Sequence, residues 1–497
     1  MSNHPTYQKL FQELRRQDKL AAIEGILGWD HQVNLPRGSV EFRAETSAVY
    51  SELVHRESSR PEIGEWLAEL AEAKDLSDDE RCVVADAAKD YALKTKLPAD
   101  FINRQSIAQN KGYHAWVDAR AQNDFAAYAP HLENHIALCR EMAGYMGREA
   151  DAYDFLVDLY DPGMNCEKID KLFTPLKAEL VPLVESIVNS PVKPDMTFLK
   201  GFPEDKQEVF LNEVVLALGL DMSRAKIDRS IHPFCGGHTC DTRLTTRYDE
   251  NNPLDSLSSV IHESGHALYQ QGLPEDLTGT ALGEPAGMAA HESQSRTWEN
   301  QISRSRGFWE YWEPKYRKLF GEQLTGVSSE QLYLAINRVA LTPIRVDADE
   351  VTYNLHIMLR YQLEKELFSG DLKVKDLPER WNVLFEESFG YRPKDDSEGV
   401  LQDVHWSEGM FGYFPSYCLG NLLSAQLWYA LLKDHPNIEA LFAKGDFSTV
   451  LKWMRTHVHC HGKRYQTEQL CEIATGEAFT HRYLIRYLKE RYLPLYR

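Results

Sequence analysis

Residues 252–274 read NPLDSLSSVIHESGHALYQQGLP, and this segment carries the clearest structural signal in the chain. Its first two residues, an asparagine and a proline, suit the N-cap and the first position of a helix, and Gly272 suits its end. Between them, apolar residues recur at helical spacing: Leu254, Leu257, Ile261, Leu268 and Tyr269. We therefore predict an amphipathic helix over 253–271, and this helix carries the pattern HExxH at 262–266.

The HExxH pattern places two imidazoles and a carboxylate on one stretch of helix. Residues four apart lie one above the other on a helix, so His262 and His266 can reach the same cation. Zinc binds neutral imidazole nitrogen and leaves a position open for water, and Glu263 lies beside the ligands to take that water's proton. We expect one zinc ion per chain here, with Co²⁺ able to replace it. The alternative is a pair of buried, hydrogen-bonded histidines.

A zinc site of this kind needs a third protein ligand. Position 272 is glycine, which excludes the HExxHxxGxxH class, in which a histidine stands there. The remaining candidates are Glu275, Asp276, Glu284, His291 and Glu292. The first two follow the helix too closely to turn back, and His291 would point about 100° away from Glu292 on a second helix. Because Glu292 shares a helix face with Arg296 and Glu299, we predict that Glu292 is the third ligand.

Helical periodicity continues along most of the chain. Strand-like composition is confined to one region, where polar and apolar residues alternate over 224–231 and 241–248. Gly236 and Gly237 suggest a turn between these two segments. The sequence therefore predicts a mainly α fold with a small β element near residues 224–248.

The chain shows no sign of a modular organisation. Its 497 residues contain no internal repeat, no low-complexity tract and no Pro/Ser-rich linker, although length alone would suggest about three domains. The absence of linkers predicts one domain over 1–497. Within it we distinguish an N-terminal helical part at 1–160 and a zinc-bearing part at 161–497.

The composition of the chain limits the kinds of partner it can bind and the cellular compartment expected for it. The chain has 55 Lys+Arg against 75 Asp+Glu, a formal net charge of −20, so nucleic acid and anionic membranes would be repelled overall. No segment approaches the roughly 18–20 apolar residues of a membrane span, and the first residues lack the apolar core of a secretory signal. The eight cysteines follow no framework spacing. These features predict a cytoplasmic protein that binds neither nucleic acid nor membranes.

Further motifs appear in order along the chain. HPF stands at 232–234, DTRLT at 241–245, HESQSRTWEN at 291–300, IRVDAD at 344–349 and GVLQDVHW at 399–406. Together with HESGHALYQQG and the N-terminal LGWDHQVNLP, they make the chain resemble the carboxypeptidase Taq family of HExxH zinc peptidases over almost its whole length. The resemblance implies a mostly helical metallocarboxypeptidase with a deep groove, a broad choice of C-terminal residue and, often, a homodimeric state.

The resemblance also implies roles for residues outside HExxH. The oxyanion that forms during peptide hydrolysis needs a hydrogen-bond donor besides the metal. His405 and Tyr417 resemble the donors that related helical zinc peptidases place there, with Tyr413 as an alternative to Tyr417. His232, in the HPF motif, is expected to shape the substrate site.

A carboxypeptidase also needs a cation for the terminal carboxylate of its substrate, and arginine pairs with a carboxylate bidentately. The motifs offer Arg345 and Arg243 for this role. Either could instead form a structural ion pair, Arg243 with Asp241 and Arg345 with Asp347 or Asp349.

The predicted function is therefore a zinc-dependent metallocarboxypeptidase that releases single residues from peptides with a free C-terminal carboxylate, with Glu263 as general base. An endopeptidase or a dipeptidyl carboxypeptidase could use the same metal site. A catalytically inactive peptide-binding scaffold could keep the same fold, but the intact Glu263 and the complete ligand set speak against it.

Overall fold

The computed structural model describes residues 4–230 and 232–497 and is built mainly of helices. From the N-terminus these are α1 (Pro5–Val33), α2 (Val40–Ser58), α3 (Pro61–Ala71), α4 (Asp78–Lys96), α5 (Ala99–Gln122), α6 (Phe125–Tyr145), α7 (Ala152–Tyr160), α8 (Cys166–Val188), α9 (Glu204–Leu218) and α10 (Pro253–Gln270). They continue with α11 (Met288–Arg296), α12 (Arg306–Phe320), α13 (Ser329–Ile336), α14 (Tyr353–Ser369), α15 (Leu377–Phe389), α16 (Phe414–Asp434), α17 (Ile438–Phe442), α18 (Ser448–His457), α19 (Thr467–Thr475) and α20 (Arg482–Tyr492). The predicted mainly α class is confirmed.

A three-stranded sheet lies where the β element was predicted. Its strands are β1 (Ala225–Arg229), β2 (Cys235–His238) and β3 (Asp241–Thr246), in the order β1-β3-β2. β1 pairs with β3 in parallel, and β2 pairs with β3 antiparallel. Residue 231, the last position of the first predicted strand segment, lies outside the described residues.

The predicted turn at Gly236 and Gly237 is wrong, because both glycines lie inside β2, paired with Arg243 and Thr242. The chain reverses after them, between β2 and β3. Gly237 has a φ of +101°, and a Cβ there would collide with the carbonyl oxygen of Asp241. A glycine is therefore required at position 237, but the reason is the close approach of two backbone segments and not a turn.

The described chain forms two compact units, and each is assembled from three separate stretches. The first contains the described residues up to Thr95, Pro194–Ile336 and Ser424–Ala478. The second contains Lys96–Lys193, Asn337–Leu423 and Phe479–Arg497. The boundary predicted at residue 160 falls within the second unit, between α7 and α8, and the single domain over 1–497 stays a prediction.

The first unit holds α10, which packs against α9, α11 and β3. The helix begins at the predicted N-cap, Asn252, with Pro253 at its first position, although the Asn252 side chain makes no capping hydrogen bond. Val260, Ile261 and Leu268 are almost completely buried. The apolar stripe read from the sequence therefore anchors the helix in the core of this unit.

Gly265 allows the backbones of α10 and α11 to approach closely. Replacing Gly265 with alanine is therefore expected to lower the free energy of unfolding by about 1–3 kcal/mol, the usual cost of overpacking a core. The added Cβ would lie 2.8 Å from the carbonyl oxygen of Gln294 and 3.0 Å from the amide nitrogen of Ser295. These are backbone atoms, so α11 itself would have to shift. Thermal unfolding measures the change. The matched control is Gly25→Ala in α1, where an added Cβ has nothing within 4 Å, and equal loss of stability in both variants would contradict the packing argument.

None of the helices in the described ranges combines the length and the hydropathy that a bilayer crossing requires. All eight cysteines are free thiols.

Candidate metal centre

Three potential metal ligands converge in the first unit, two from α10 and one from α11. The Nε2 atoms of His262 and His266 are 3.2 Å apart. The Oε2 atom of Glu292 lies 3.6 Å from Nε2 of His262 and 3.5 Å from Nε2 of His266. A tetrahedral zinc ion with bonds of about 2.0–2.1 Å needs ligand atoms about 3.3–3.4 Å apart, so the triangle has the size of one face of a zinc site. Within residues 4–230 and 232–497 this is the one His/Cys/Asp/Glu cluster with such geometry.

A second carboxylate, Glu299, orients His262 from behind. Its Oε2 atom lies 2.8 Å from Nδ1 of His262, and its Oε1 atom accepts a hydrogen bond of 2.8 Å from Ser258. Such a contact fixes the imidazole tautomer so that Nε2 stays available to a metal. Glu299 lies in a π-helical segment, Thr297–Ile302, that continues α11 directly.

The helical spacing places Glu299 on the face of Glu292, but the sequence alone assigns it no role. The structure shows that it belongs to the centre. Burial acts against the charged form of Glu299, but the positive charges of Arg296 and His262 hold the pKa of its carboxyl well below the usual range. Glu299 therefore stays an anion beside His262.

His291 contacts His266 and does not face the triangle of potential ligands. Its Nδ1 atom forms a short contact with Nδ1 of His266, on the side of the ring opposite Nε2. This is the direction expected for a residue about 100° from Glu292 on the same helix. Burial lowers the pKa of His291 to about 4, so its ring is neutral near pH 7.

Glu263 is the exception among the carboxylates of this region. Only 8% of the residue is exposed, yet its side chain makes no hydrogen bond with any residue in the described part of the chain. Burial raises the pKa of its carboxyl to about 7, with His262 lowering the pKa and Glu292 raising it. An unpaired carboxylate that exchanges a proton near neutral pH has the property required of a general base.

Metal binding is expected to strengthen about tenfold per pH unit as the pH rises from 6 to 8, because one proton must leave the site. Burial opposes the charged form of His262, but Glu292 and Glu299 outweigh it and raise the pKa of the metal-free imidazole to about 9. Below that pH His262 is protonated and must lose its proton to bind a cation. Competition with a chromophoric chelator at several pH values measures the slope.

The control for this slope is Glu299→Gln, which removes one of the charges that raise the pKa of His262. In that variant the pH dependence should flatten above pH 7. A wild-type affinity that does not change over this range would contradict the protonated state of His262.

Arg243 and His232 also lie in the first unit. Arg243 is held in an ion pair, whereas the side chain of His232 is exposed. Nε and Nη2 of Arg243 donate to the two carboxylate oxygens of Asp241, at 3.0 and 2.8 Å. This is the structural ion pair that the sequence analysis left open. His232 is exposed, at the start of the HPF motif.

The second unit collects Arg345, His405 and Tyr417. Nε of Arg345 donates to Asp403 at 2.8 Å, and Nη1 donates to the hydroxyl of Tyr353 at 2.8 Å. The ion-pair partner of Arg345 is thus Asp403, and not Asp347 or Asp349 as the sequence suggested. Asp349 instead accepts hydrogen bonds from the backbone at the start of α14.

Asp403 accepts hydrogen bonds from two arginines. Its second oxygen accepts a hydrogen bond of 2.6 Å from Nε of Arg360, which is fully buried. Two guanidinium groups therefore share one carboxylate in an environment with little water. The guanidinium of Arg345 also lies over the ring of Tyr417, 5.2 Å from its centroid.

His405 and Tyr417 are direct neighbours, with 3.2 Å between Nε2 and the phenol oxygen. Burial lowers the pKa of His405 to about 3, with the positive charge of Arg345 acting in the same direction. His405 is therefore neutral near pH 7. Tyr413 lies in the same aromatic group, its ring centroid 5.5 Å from that of His405 and 5.2 Å from that of Tyr417.

Comparison with known proteins places the chain in a family. The model of the carboxypeptidase Taq (M32) metallopeptidase family matches residues 9–492. Carboxypeptidase 1 of Bacillus subtilis is 38% identical over 495 residues, which cover 99% of both chains. Thermostable carboxypeptidase 1 of Thermus thermophilus is 37% identical over 510 residues, covering 100% of both. The crystal structure of the M32 carboxypeptidase from Deinococcus radiodurans R1 superposes with a TM-score of 0.96 at 38% identity, over 99% of this chain and 100% of that one.

A helical fold around an HExxH helix, with carboxypeptidases as relatives over the full length, defines a metallocarboxypeptidase, a hydrolase of peptide bonds. The chain belongs to the carboxypeptidase Taq (M32) metallopeptidase family. The resemblance drawn from the sequence motifs is thereby confirmed, and so is the predicted enzyme class.

Proposed function

We propose that the protein is a zinc-dependent carboxypeptidase that releases single residues from the free C-terminus of peptides and accepts many C-terminal side chains. One observation carries the proposal: the triangle of His262, His266 and Glu292 has edges of 3.2–3.6 Å, the size of a zinc site. Membership of a carboxypeptidase family supports the direction of cleavage.

The donor set fits zinc. Two imidazole nitrogens and one carboxylate oxygen are the ligands of many catalytic zinc sites, and Co²⁺ shares enough of these preferences to replace zinc. When bound, such an ion lowers the pKa of a coordinated water and polarises the peptide carbonyl. One ion per chain is expected, because the described residues form one such cluster.

Glu263 is proposed as the general base. Its unpaired carboxylate would take the proton of the attacking water and then pass it to the leaving amine. Burial raises the pKa of this carboxyl to about 7 in the metal-free site, and a bound cation would lower it, so that the carboxylate is ionised and able to accept a proton at neutral pH. No protein donor competes for this carboxylate within the described residues, which supports the assignment.

Arg345 is proposed to bind the terminal carboxylate of the substrate. Its cluster with Arg360 and Asp403 holds two cations for one anion, and a further carboxylate would balance that charge. Arg243 stays a second candidate, although Asp241 already occupies two of its donors. His232 is kept as a substrate-contacting residue.

His405 and Tyr417 are proposed to donate to the oxyanion. Their mutual contact at 3.2 Å orients both groups, and a neutral imidazole together with a phenol offers donors without adding charge. Tyr413 is the alternative to Tyr417. From the resemblance and the sequence we also propose a cytoplasmic homodimer of single-domain chains that binds neither nucleic acid nor membranes.

Peptide digestion followed by mass spectrometry tests the proposed function. Peptides with a free C-terminal acid should lose one residue at a time, while the same peptides with a C-terminal amide should stay intact, because the amide removes the charge that Arg345 would bind. Activity should disappear with a chelator and return with added zinc or cobalt. Internal cleavage, or release of dipeptides, would show a different peptidase specificity.

A further inference from the structure

A single guanidinium, that of Arg296, connects two carboxylates of the metal centre. Its Nε donates to Oε1 of Glu292 at 2.6 Å, and its Nη1 donates to Oε2 of Glu299 at 3.0 Å. The same Oε2 atom of Glu299 contacts Nδ1 of His262 at 2.8 Å. Arg296 thus joins a ligand carboxylate to the carboxylate that orients a ligand histidine.

The two oxygens of Glu292 are not equivalent. Oε2 faces Nε2 of both His262 and His266, at 3.6 and 3.5 Å, and also accepts a hydrogen bond of 2.9 Å from Ser295. Oε1 is held by Arg296 at 2.6 Å. A charge-assisted hydrogen bond of this length ties Oε1 to the guanidinium.

We propose that Arg296 is a positioning residue that restricts Glu292 to binding the metal through one oxygen, Oε2. A catalytic zinc site keeps a fourth position for water beside its three protein ligands, and a carboxylate that bound through both oxygens would crowd that position and raise the coordination number to five. The proposal rests on the metal ligands assigned under the proposed function. It extends that function by naming the residue that keeps the site open to water and substrate.

Side-chain chemistry makes the arginine specific for this task. Its planar fork donates to two carboxylates in fixed directions, whereas lysine is a compact charge without a fork. The spacing also matters, because Glu292, Arg296 and Glu299 are separated by four and three residues and so lie along one face. Lysine should therefore keep the charge but lose the simultaneous hold on both carboxylates.

The test compares the wild type with the variants Arg296→Lys and Arg296→Gln. Circular dichroism first shows that all three proteins are folded, and all three are then loaded with zinc. X-ray absorption at the zinc edge gives the total number of nitrogen and oxygen neighbours at about 2.0–2.2 Å, and the two imidazole nitrogens are the same in all three proteins, so a change in the total is a change in the oxygen count. We expect one more oxygen in both variants than in the wild type, and weaker visible absorption after loading with Co²⁺. We also expect kcat to fall about 10–100-fold, the usual effect of changing a group that orients a metal ligand.

The matched control is Arg306→Lys. Arg306 also donates through two nitrogens to one carboxylate, that of Glu330, but its side chain is 57% exposed and lies outside the metal centre. Its oxygen count and kcat should equal those of the wild type.

Two outcomes would overturn the proposal. The first is an oxygen count in both Arg296 variants that equals the wild-type count, whatever happens to kcat. The second is a folded Arg296→Lys protein that binds no zinc even at excess metal, since Glu292 would then depend on Arg296 for affinity and not for its mode of binding. Neither readout involves a peptide, so a wild type that binds zinc but leaves free-acid peptides intact would refute the proposed function separately.

Discussion

Replacing Glu263 with glutamine is expected to lower kcat by about 10²–10⁴-fold, the range typical for loss of a general base. The amide has nearly the same shape as the carboxylate but cannot accept a proton. Because the Glu263 carboxylate makes no hydrogen bond with a described residue, the substitution breaks no protein contact there. Steady-state kinetics on a free-acid peptide, with zinc content measured in parallel, gives the result.

Zinc content is the control in this experiment. Glu263 is not among the three residues proposed to bind the metal, so the variant should bind one ion per chain and unfold at nearly the wild-type temperature. Glu263→Asp offers a graded comparison, because it keeps the base but shortens its reach. Unchanged hydrolysis by the glutamine variant would assign the activity to another group or to a contaminating enzyme.

Replacing Arg345 with alanine is expected to lower kcat/KM for free-acid peptides by about 30–5,000-fold, since truncating one partner of a buried charged pair costs about 2–5 kcal/mol. The substrate carboxylate would lose a bidentate partner, while the three residues proposed to hold the ion belong to the first unit and should keep it. The measurement is the ratio of kcat/KM for free-acid and amidated forms of one peptide.

The ratio of kcat/KM for the free-acid and amidated peptides distinguishes a role of Arg345 in binding the substrate carboxylate from a purely structural role. Arg345 is 6% exposed and paired with Asp403, so the alanine variant also disturbs a buried ion pair and will be less stable. A purely structural role would reduce the metal content or the folded fraction and leave the preference for free acids unchanged. Arg345→Lys keeps the charge and should recover part of that preference, and Arg243→Lys tests the second candidate in the same assay.

Local sequence patterns predicted the helices that carry the metal centre because their signals are local. α10 extends over Pro253–Gln270, close to the predicted 253–271, since its first positions and its apolar spacing depend only on neighbouring residues. Helix geometry also predicted that Glu292 and His291 point in different directions. In the structure Glu292 lies near Nε2 of His266, and His291 contacts Nδ1 on the other side of the same ring. The triangle of possible ligands was therefore accessible from the sequence.

The residues around the triangle were not accessible in the same way. The sequence places Glu299 on the helix face of Glu292, but its role depends on its contact with His262, 37 positions earlier in the chain and on a different helix. The partner of Arg345 was misjudged because Asp403 is 58 positions away in the chain. Contacts between distant segments, including those that define the two units, leave no local pattern to read.

The interleaving of the two units has a consequence for biosynthesis. All three residues proposed to bind the metal have been synthesised once residue 292 is added, but the first unit is complete only at Ala478. His459, from its last stretch, contacts Gln294 of α11, the helix that carries Glu292, at 2.9 Å. At roughly 5–20 residues per second, the ribosome needs roughly 10–40 s to supply the missing part. The nascent chain therefore carries HExxH on an unfinished core for that time, and metal loading is expected to follow translation rather than accompany it.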